Sequence, residues 1–154
     1  FARIGNGSLG GKGRGLGFAR SIFDVYAVQE QFPQWKVQVP SSVIVSTSVF
    51  DDFMTSSRLF NVALEPDISD AEIGHRFLSA RLPFNVMEDL KSYLRLQKGP
   101  IAVRSSSLFE DTFNQPFAGI YKTLLLPNNA SSLDDRLYDL EAAIKMVYAS
   151  IYTR

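Results

Sequence analysis

The chain has 154 residues, with 16 lysines and arginines against 16 aspartates and glutamates, so its formal net charge is zero. This length accommodates one domain with a core of its own, and a hydrophobic content of 45% argues against global disorder. The absence of cysteine excludes disulfide scaffolds, Cys-ligated zinc and thiol catalysis, and the single histidine, His75, excludes a multi-histidine metal site.

Glycines and basic residues are concentrated at the N-terminus. Residues 1–20 contain four basic side chains and no acidic one, and seven of the ten glycines lie between Gly5 and Gly17. A glycine-rich segment that opens a helix presents unpaired N–H groups at the positive end of the helix dipole, which favours phosphate binding. A flexible tail is the alternative that composition leaves open.

This segment fails one known phosphate-binding motif and matches another. A Walker A loop requires glycine where Asn6 stands and a serine or threonine where Gly13 follows Lys12, so that motif is excluded. Residues 5–10 do match the G-x-G-x-x-G pattern of dinucleotide-binding folds. Only four residues precede the match, so this interpretation would require a strand upstream of Phe1.

Apolar residues at helical spacing predict a helix that begins near Gly11 or Lys12 and ends before Pro33. Residues 36–46 alternate and then become apolar, which predicts a strand with a break or an edge at Pro40. The serines and threonine at 46–48 are expected to cap a short helix through Met54.

Two helices are predicted between residues 61 and 97. Ser69 and Glu72 have the spacing of a capping box for the first helix, and Pro83 suits the first turn of the second. Strands at residues 101–104 and 119–126 and an amphipathic helix at 133–151 follow. This mixture indicates an α+β fold in one compact unit.

Arg104 ends the strand at 101–104 and precedes three serines, so its guanidinium can present a bidentate fork to a phosphate. An ion pair with Glu110 or Asp111 is the structural alternative. The same two carboxylates could bind magnesium, but an isolated acidic pair in a loop is more often solvated, so we assign no metal ligand. His75 is expected at the surface.

Four segments, taken in order, resemble one family, the nucleotide-binding domain of phosphoenolpyruvate synthase and pyruvate phosphate dikinase. They are GGKGRGL at 10–16, VPSSVIVST at 39–47, AVRSS at 102–106 with ED at 110–111 and FAG at 117–119, and AAIKMVYASIY at 142–152. In enzymes of this family ATP lies between two ATP-grasp-like lobes. Its β-phosphoryl group passes to a histidine on a swivelling domain and then to pyruvate.

The resemblance implies that residues 1–154 form the N-terminal lobe, in which helices flank a small mixed or antiparallel sheet. A second lobe and a phosphohistidine domain would follow in the same longer chain, and most ligands of the Mg²⁺ that accompanies ATP would lie there. We therefore expect a cytoplasmic phosphotransferase whose isolated first lobe is inactive or nearly so. A membrane is not expected as a partner, because no apolar run approaches the length of a membrane helix. Nucleic acid is not expected either, since the net charge is zero.

The resemblance also implies roles for individual residues. Lys12 would neutralise a nucleotide phosphate, and Arg104 would be catalytic by stabilising the charge that builds on the phosphoryl group in transit. A mobile loop at residues 117–119 would close over the phosphates. The complete expected ATP-binding set is Lys12, Arg104, Gly11, Gly13, Ser105, Phe117, Ala118 and Gly119.

Three residues near this loop depart from the family pattern. Pro116 stands where a serine is common, and Ile120 and Lys122 replace glutamine-rich and acidic sequence, so that Lys122 reverses the local charge. A non-catalytic regulatory or interaction module that retains the lobe fold is therefore the alternative function.

Overall fold

The computed structural model describes residues 2–106 and 122–153. Its elements, in order, are β1 (Ala2–Ile4), α1 (Gly10–Val25), α2 (Val28–Gln31), β2 (Val43–Val45), α3 (Thr47–Ser56), α4 (Leu59–Ala63), α5 (Asp70–Ser79), α6 (Phe84–Leu96), β3 (Ile101–Arg104), β4 (Thr123–Leu126) and α7 (Leu133–Ala149). This mixture of helices and short strands confirms the α+β class. Within these residues, no helix is long and apolar enough to cross a bilayer.

The four strands within the described residues form two separate two-stranded sheets. β1 pairs with β2 in parallel, and β3 pairs with β4 in antiparallel register, with Arg104 opposite Thr123. The strand predicted over residues 36–46 is shorter than expected, because β1 offers only three residues for pairing and Pro40 has no N–H to donate. The described strands thus provide one parallel and one antiparallel pair.

The first helix ends earlier than the sequence predicted. α1 begins at Gly10, close to the predicted start, but it stops at Val25, and Ala27 then takes a left-handed conformation with φ of 45°. The side chain of Gln31 donates to the carbonyl oxygen of Tyr26 at 2.6 Å and so stabilises this turn. The predicted continuous helix is therefore wrong beyond Val25, since α2 follows as a separate single turn.

The core lies among α3, α5, α6 and α7. Phe53 and Phe77 are fully buried and meet edge to face, with ring centroids 6.0 Å apart. Tyr148 of α7 packs on the same cluster, 5.0 Å from the ring of Phe50. α7 contacts α5 and α6 and also supports both strands of the β3–β4 sheet, so it fixes β3 relative to the helical core.

Two buried cations on α7 cap the ends of neighbouring helices. Arg136 donates from Nη2 to the carbonyl oxygen of Leu94 at 2.8 Å and from Nε to Oδ1 of Asn128 at 2.7 Å. Lys145 donates from Nζ to the carbonyl oxygen of Leu78 at 3.2 Å. These contacts satisfy C-terminal carbonyls of α6 and α5, which would otherwise be desolvated without a partner.

The predicted caps differ in outcome. Ser69 caps α5 as expected, because its Oγ accepts from the N–H of Glu72 at 3.2 Å. The Glu72 carboxylate accepts instead from Arg76, one turn further along the helix, at 2.6 Å. Ser46 occupies the N-cap position of α3, but its side chain makes no capping bond. Pro83 immediately precedes α6 instead of lying within its first turn.

Candidate functional site

The glycine-rich loop at residues 5–9 connects β1 to α1 and is bonded along the N-terminus of α3. The N–H groups of Asn6 and Ser8 donate to the hydroxyls of Ser48 and Thr47, at 2.9 and 3.0 Å. In return the N–H groups of Thr47 and Ser48 donate to the carbonyl oxygens of Ser8 and Asn6, at 3.1 and 3.2 Å. This loop therefore supplies the cap that the Ser46 side chain does not.

Close packing explains the glycine at the start of this loop. A Cβ at Gly5 would lie 2.5 Å from Cγ2 of Val49, and its φ of +77° disfavours other residues. β1 does provide a strand before the G-x-G-x-x-G match, so no strand upstream of Phe1 is needed. However, the N–H groups of Asn6 and Ser8 are already bonded to α3, so this part of the loop offers no open cradle for a dinucleotide.

The first turn of α1 is joined to the end of β3 by one hydroxyl group. Oγ of Ser106 accepts from the N–H of Gly13 at 2.9 Å and donates to the carbonyl oxygen of Leu9 at 2.8 Å. Leu9 and Gly13 delimit the first turn of α1. The Ser106 side chain thus connects two segments that are far apart in the sequence.

Gly10 allows this close approach. It is buried, its φ is +70°, and a Cβ built on it would lie 1.3 Å from the carbonyl oxygen of Ser106. A distance of this size means that any side chain at Gly10 would overlap the backbone of Ser106. The junction between α1 and β3 therefore requires glycine at this position.

The two cations singled out in the sequence lie on the two segments that meet at this junction. Lys12 is in the first turn of α1, and its Nζ is buried from solvent. Arg104 is the last residue of β3, exposed, and two residues before Ser106. The first turn of α1 contains no acidic residue, so the positive end of the helix dipole is not neutralised from within the helix.

The remaining predicted site residues fall into two groups. Gly11 and Ser105 are half-buried on either side of the junction. Gly13 is buried, and a Cβ there would lie 2.6 Å from Cδ1 of Ile44, so this glycine also lets α1 pack on β2. Phe117, Ala118 and Gly119 lie outside the described residues, as do Glu110, Asp111, Pro116 and Ile120.

Two residues that build the junction were missed as site residues by the sequence reasoning. Gly10 was identified as the last glycine of the G-x-G-x-x-G match and Ser106 as a serine after Arg104, and both lie in segments that resemble the family, but neither was assigned a role in the site. Neither pattern indicates that the two residues touch. The repeated serine directly after the strand-end arginine was the one available signal.

The described residues offer no cluster of three histidine, aspartate or glutamate side chains that could hold a metal ion. Lys122 is exposed, and its backbone N–H donates to Oγ of Ser150 at 3.2 Å. Besides Lys12 and Arg104, the described residues place Arg14 near this junction, where its guanidinium donates to Oγ of Ser8 at 3.4 Å.

The clearest pKa shift lies away from the junction, in the aromatic core. Burial raises the pKa of the Tyr148 hydroxyl well above its ordinary value, and the carboxylate of Asp51 adds to the increase. Oη of Tyr148 has no hydrogen-bond partner among residues 2–106 and 122–153. This hydroxyl stays protonated, and the Tyr148 ring packs α7 against α3.

The chain matches a known protein family. The family model described as "Pyruvate phosphate dikinase, AMP/ATP-binding domain" matches residues 6–154, nearly the whole chain. Comparisons with curated proteins and with solved structures gave no match.

Proposed function

Because the chain belongs to the family of pyruvate phosphate dikinase AMP/ATP-binding domains, we propose that it binds the phosphates of ATP where α1 meets β3. The observation that carries this proposal is the Ser106 hydroxyl, which bonds to both ends of the first turn of α1. It brings the turn that carries Lys12 to the strand end that carries Arg104. Two cations thereby lie on the two segments that meet at one helix N-terminus, where phosphate binding is favoured.

Lys12 and Arg104 would bind a polyphosphate in different ways. Lys12 supplies a point charge at the helix N-terminus, and its buried position strengthens its attraction for a phosphate by excluding water. Arg104 supplies a planar fork of donors at the exposed strand end. The backbone around Gly11 and the side chain of Ser105 complete the proposed contacts, whereas the N–H of Gly13 already donates to Oγ of Ser106.

The same arrangement suits phosphoryl transfer. We place the chain as the N-terminal lobe of a phosphoenolpyruvate synthase or pyruvate phosphate dikinase-like enzyme, in which ATP phosphorylates a histidine on a swivelling domain. Pyruvate or a related acceptor then receives the group. Arg104 is exposed at the strand end, so it can stabilise the charge that develops on the moving phosphoryl group. Mg²⁺ bound with ATP would shield the phosphates, and the described residues offer no ligand set for it.

Nucleotide binding by alanine variants tests the site. Lys12→Ala and Arg104→Ala in the full-length protein should each weaken ATP binding, measured by titration calorimetry, by about 1.5–3 kcal/mol. That loss corresponds to roughly 10- to 150-fold in Kd. Arg20→Ala is the matched control, because Arg20 is an exposed cation on the same helix that pairs with Asp24 at 2.9 Å. Unchanged affinity in both site variants would refute the assignment.

Turnover separates the proposed enzyme from the non-catalytic alternative. The full-length protein, incubated with ATP, Mg²⁺ and pyruvate, should release AMP and form an acid-labile phosphohistidine. Absence of both products with every acceptor tried, together with intact ATP binding, would favour the regulatory or interaction module. Residues 1–154 alone should bind ATP only weakly, since one lobe cannot enclose the phosphates. Sub-micromolar affinity of that fragment would contradict this reasoning.

A further inference from the structure

We propose that Ser106 is a positioning residue: its hydroxyl holds the first turn of α1 and so sets where Lys12 stands relative to Arg104. This inference rests on the proposed function, because it assigns a task to Ser106 within that same site. Ser106 itself is not assigned a contact with nucleotide.

The composition of α1 explains why its first turn needs a support from outside the helix. Gly10, Gly11 and Gly13 all lie in or next to this turn. Glycine destabilises a helix interior by about 1 kcal/mol relative to alanine, because its backbone loses more conformational freedom on folding. The turn that carries Lys12 is therefore intrinsically poor at remaining helical.

Ser106 supplies that support at both ends of the turn. Its hydroxyl accepts from the N–H of Gly13 and donates to the carbonyl oxygen of Leu9, which uses the donor and the acceptor capacity of one group. Lys12 lies between these two residues in the chain. When both ends are held, the direction of the Lys12 side chain is fixed relative to β3, which also carries Arg104.

The nearby contact of Gly10 does not replace this function. Gly10 touches the carbonyl oxygen of Ser106, a backbone atom that alanine at position 106 would retain. Ser106→Ala therefore removes both hydroxyl bonds while keeping the close approach of the two segments. Loss of the hydroxyl alone should leave the fold assembled and loosen the turn around Lys12.

The test measures ATP affinity by calorimetry in the full-length protein for four variants and one double variant. Ser106→Ala removes the hydroxyl, Ser106→Thr keeps it, and Lys12→Ala removes the charge that it positions. Ser48→Ala is the matched control: it also deletes a serine bond to the glycine-rich loop, that to Asn6 at 2.9 Å, but not one to the first turn of α1. Thermal unfolding of each variant reports its fold separately.

Ser106→Ala should weaken ATP binding about five- to tenfold, as expected for one or two hydrogen bonds. Ser106→Thr and Ser48→Ala should stay within about twofold of the unmodified protein. In the Lys12→Ala background, Ser106→Ala should cause no further loss, because the residue that it positions is gone.

Two results would overturn the inference alone: wild-type affinity of Ser106→Ala while Lys12→Ala binds weakly, or additive losses in the double variant. Equal losses in Ser106→Ala and Ser48→Ala would also overturn it, because they would indicate general loosening. Full affinity of both Lys12→Ala and Arg104→Ala would instead refute the proposed function on which the inference rests.

Discussion

Alanine substitution at two glycines of one helix should have opposite effects on stability. Gly10 and Gly15 both belong to α1. A Cβ at Gly10 would lie 1.3 Å from the carbonyl oxygen of Ser106, whereas a Cβ at Gly15 would have no heavy atom of residues 2–106 or 122–153 within 4 Å. Gly10→Ala and Gly15→Ala are therefore the same chemical change in two different surroundings.

The magnitudes follow from these surroundings. Gly10 has φ of +70°, and alanine in the left-handed region costs about 1–2 kcal/mol. Displacing Ser106 would also break its two bonds to the first turn of α1, at about 0.5–1.5 kcal/mol each. The expected destabilisation is about 2–5 kcal/mol. Gly15→Ala should instead stabilise the protein by about 0.5–1 kcal/mol, because it reduces the backbone entropy lost on helix formation.

Urea unfolding followed by circular dichroism measures both changes. The two variants should unfold with the same dependence on urea concentration as the parent protein and with midpoints shifted in opposite directions. A Gly10→Ala protein within about 0.5 kcal/mol of the parent would refute the close contact with Ser106. Clear destabilisation by Gly15→Ala would refute the conclusion that no described residue crowds position 15.

Three further substitutions test the core and the caps. Tyr148→Phe should leave the free energy of unfolding unchanged or raise it by about 1 kcal/mol, because the buried hydroxyl lacks a partner among the described residues. In the unfolded chain the Tyr148 hydroxyl ionises near pH 10.0, whereas burial keeps it protonated in the folded protein. The free energy of unfolding should therefore be unaffected below pH 10.0 and decrease above it. Tyr148→Phe should reduce this alkaline loss in thermal scans, and an unchanged loss would contradict the assignment. Arg136→Ala should lower the free energy of unfolding by about 2–4 kcal/mol in chemical denaturation, because it leaves the carbonyl oxygen of Leu94 without its buried donor. Arg95→Ala, at an exposed position, is the control. Equal effects of the two substitutions would argue against the cap. Ser69→Ala should cost about 1 kcal/mol through loss of the bond to the N–H of Glu72, and a change below about 0.3 kcal/mol would show that water replaces the cap.

The sequence was most informative where a structure depends on neighbouring residues. Apolar spacing at three and four residues predicted α5, α6 and α7, and the Ser69 and Glu72 pair predicted the cap of α5. The apolar run ending at Arg104 predicted β3 with its correct last residue. Each of these patterns expresses contacts within one or two turns or along one strand, which a local reading can detect.

The sequence was less informative where a boundary depends on a partner. The strand predicted over residues 36–46 shrinks to Val43–Val45 because only Ala2–Ile4 pairs with it. The first helix ends at Val25 because the turn at Ala27 is held by a glutamine side chain from further along the chain. Periodicity continues through both regions, so it could not locate either end.

The candidate site divides in the same way. The sequence by itself identified the glycine-rich helix start, Lys12 and Arg104, since these rest on residue types and on a motif. Only the tertiary structure decided that the loop at residues 5–8 bonds to α3 and that Gly10 touches Ser106. A hydrogen bond between residues 13 and 106 leaves no periodic trace in the sequence. Its partners are neighbours only in the tertiary structure, where the start of α1 meets the backbone of Ser106 just after β3.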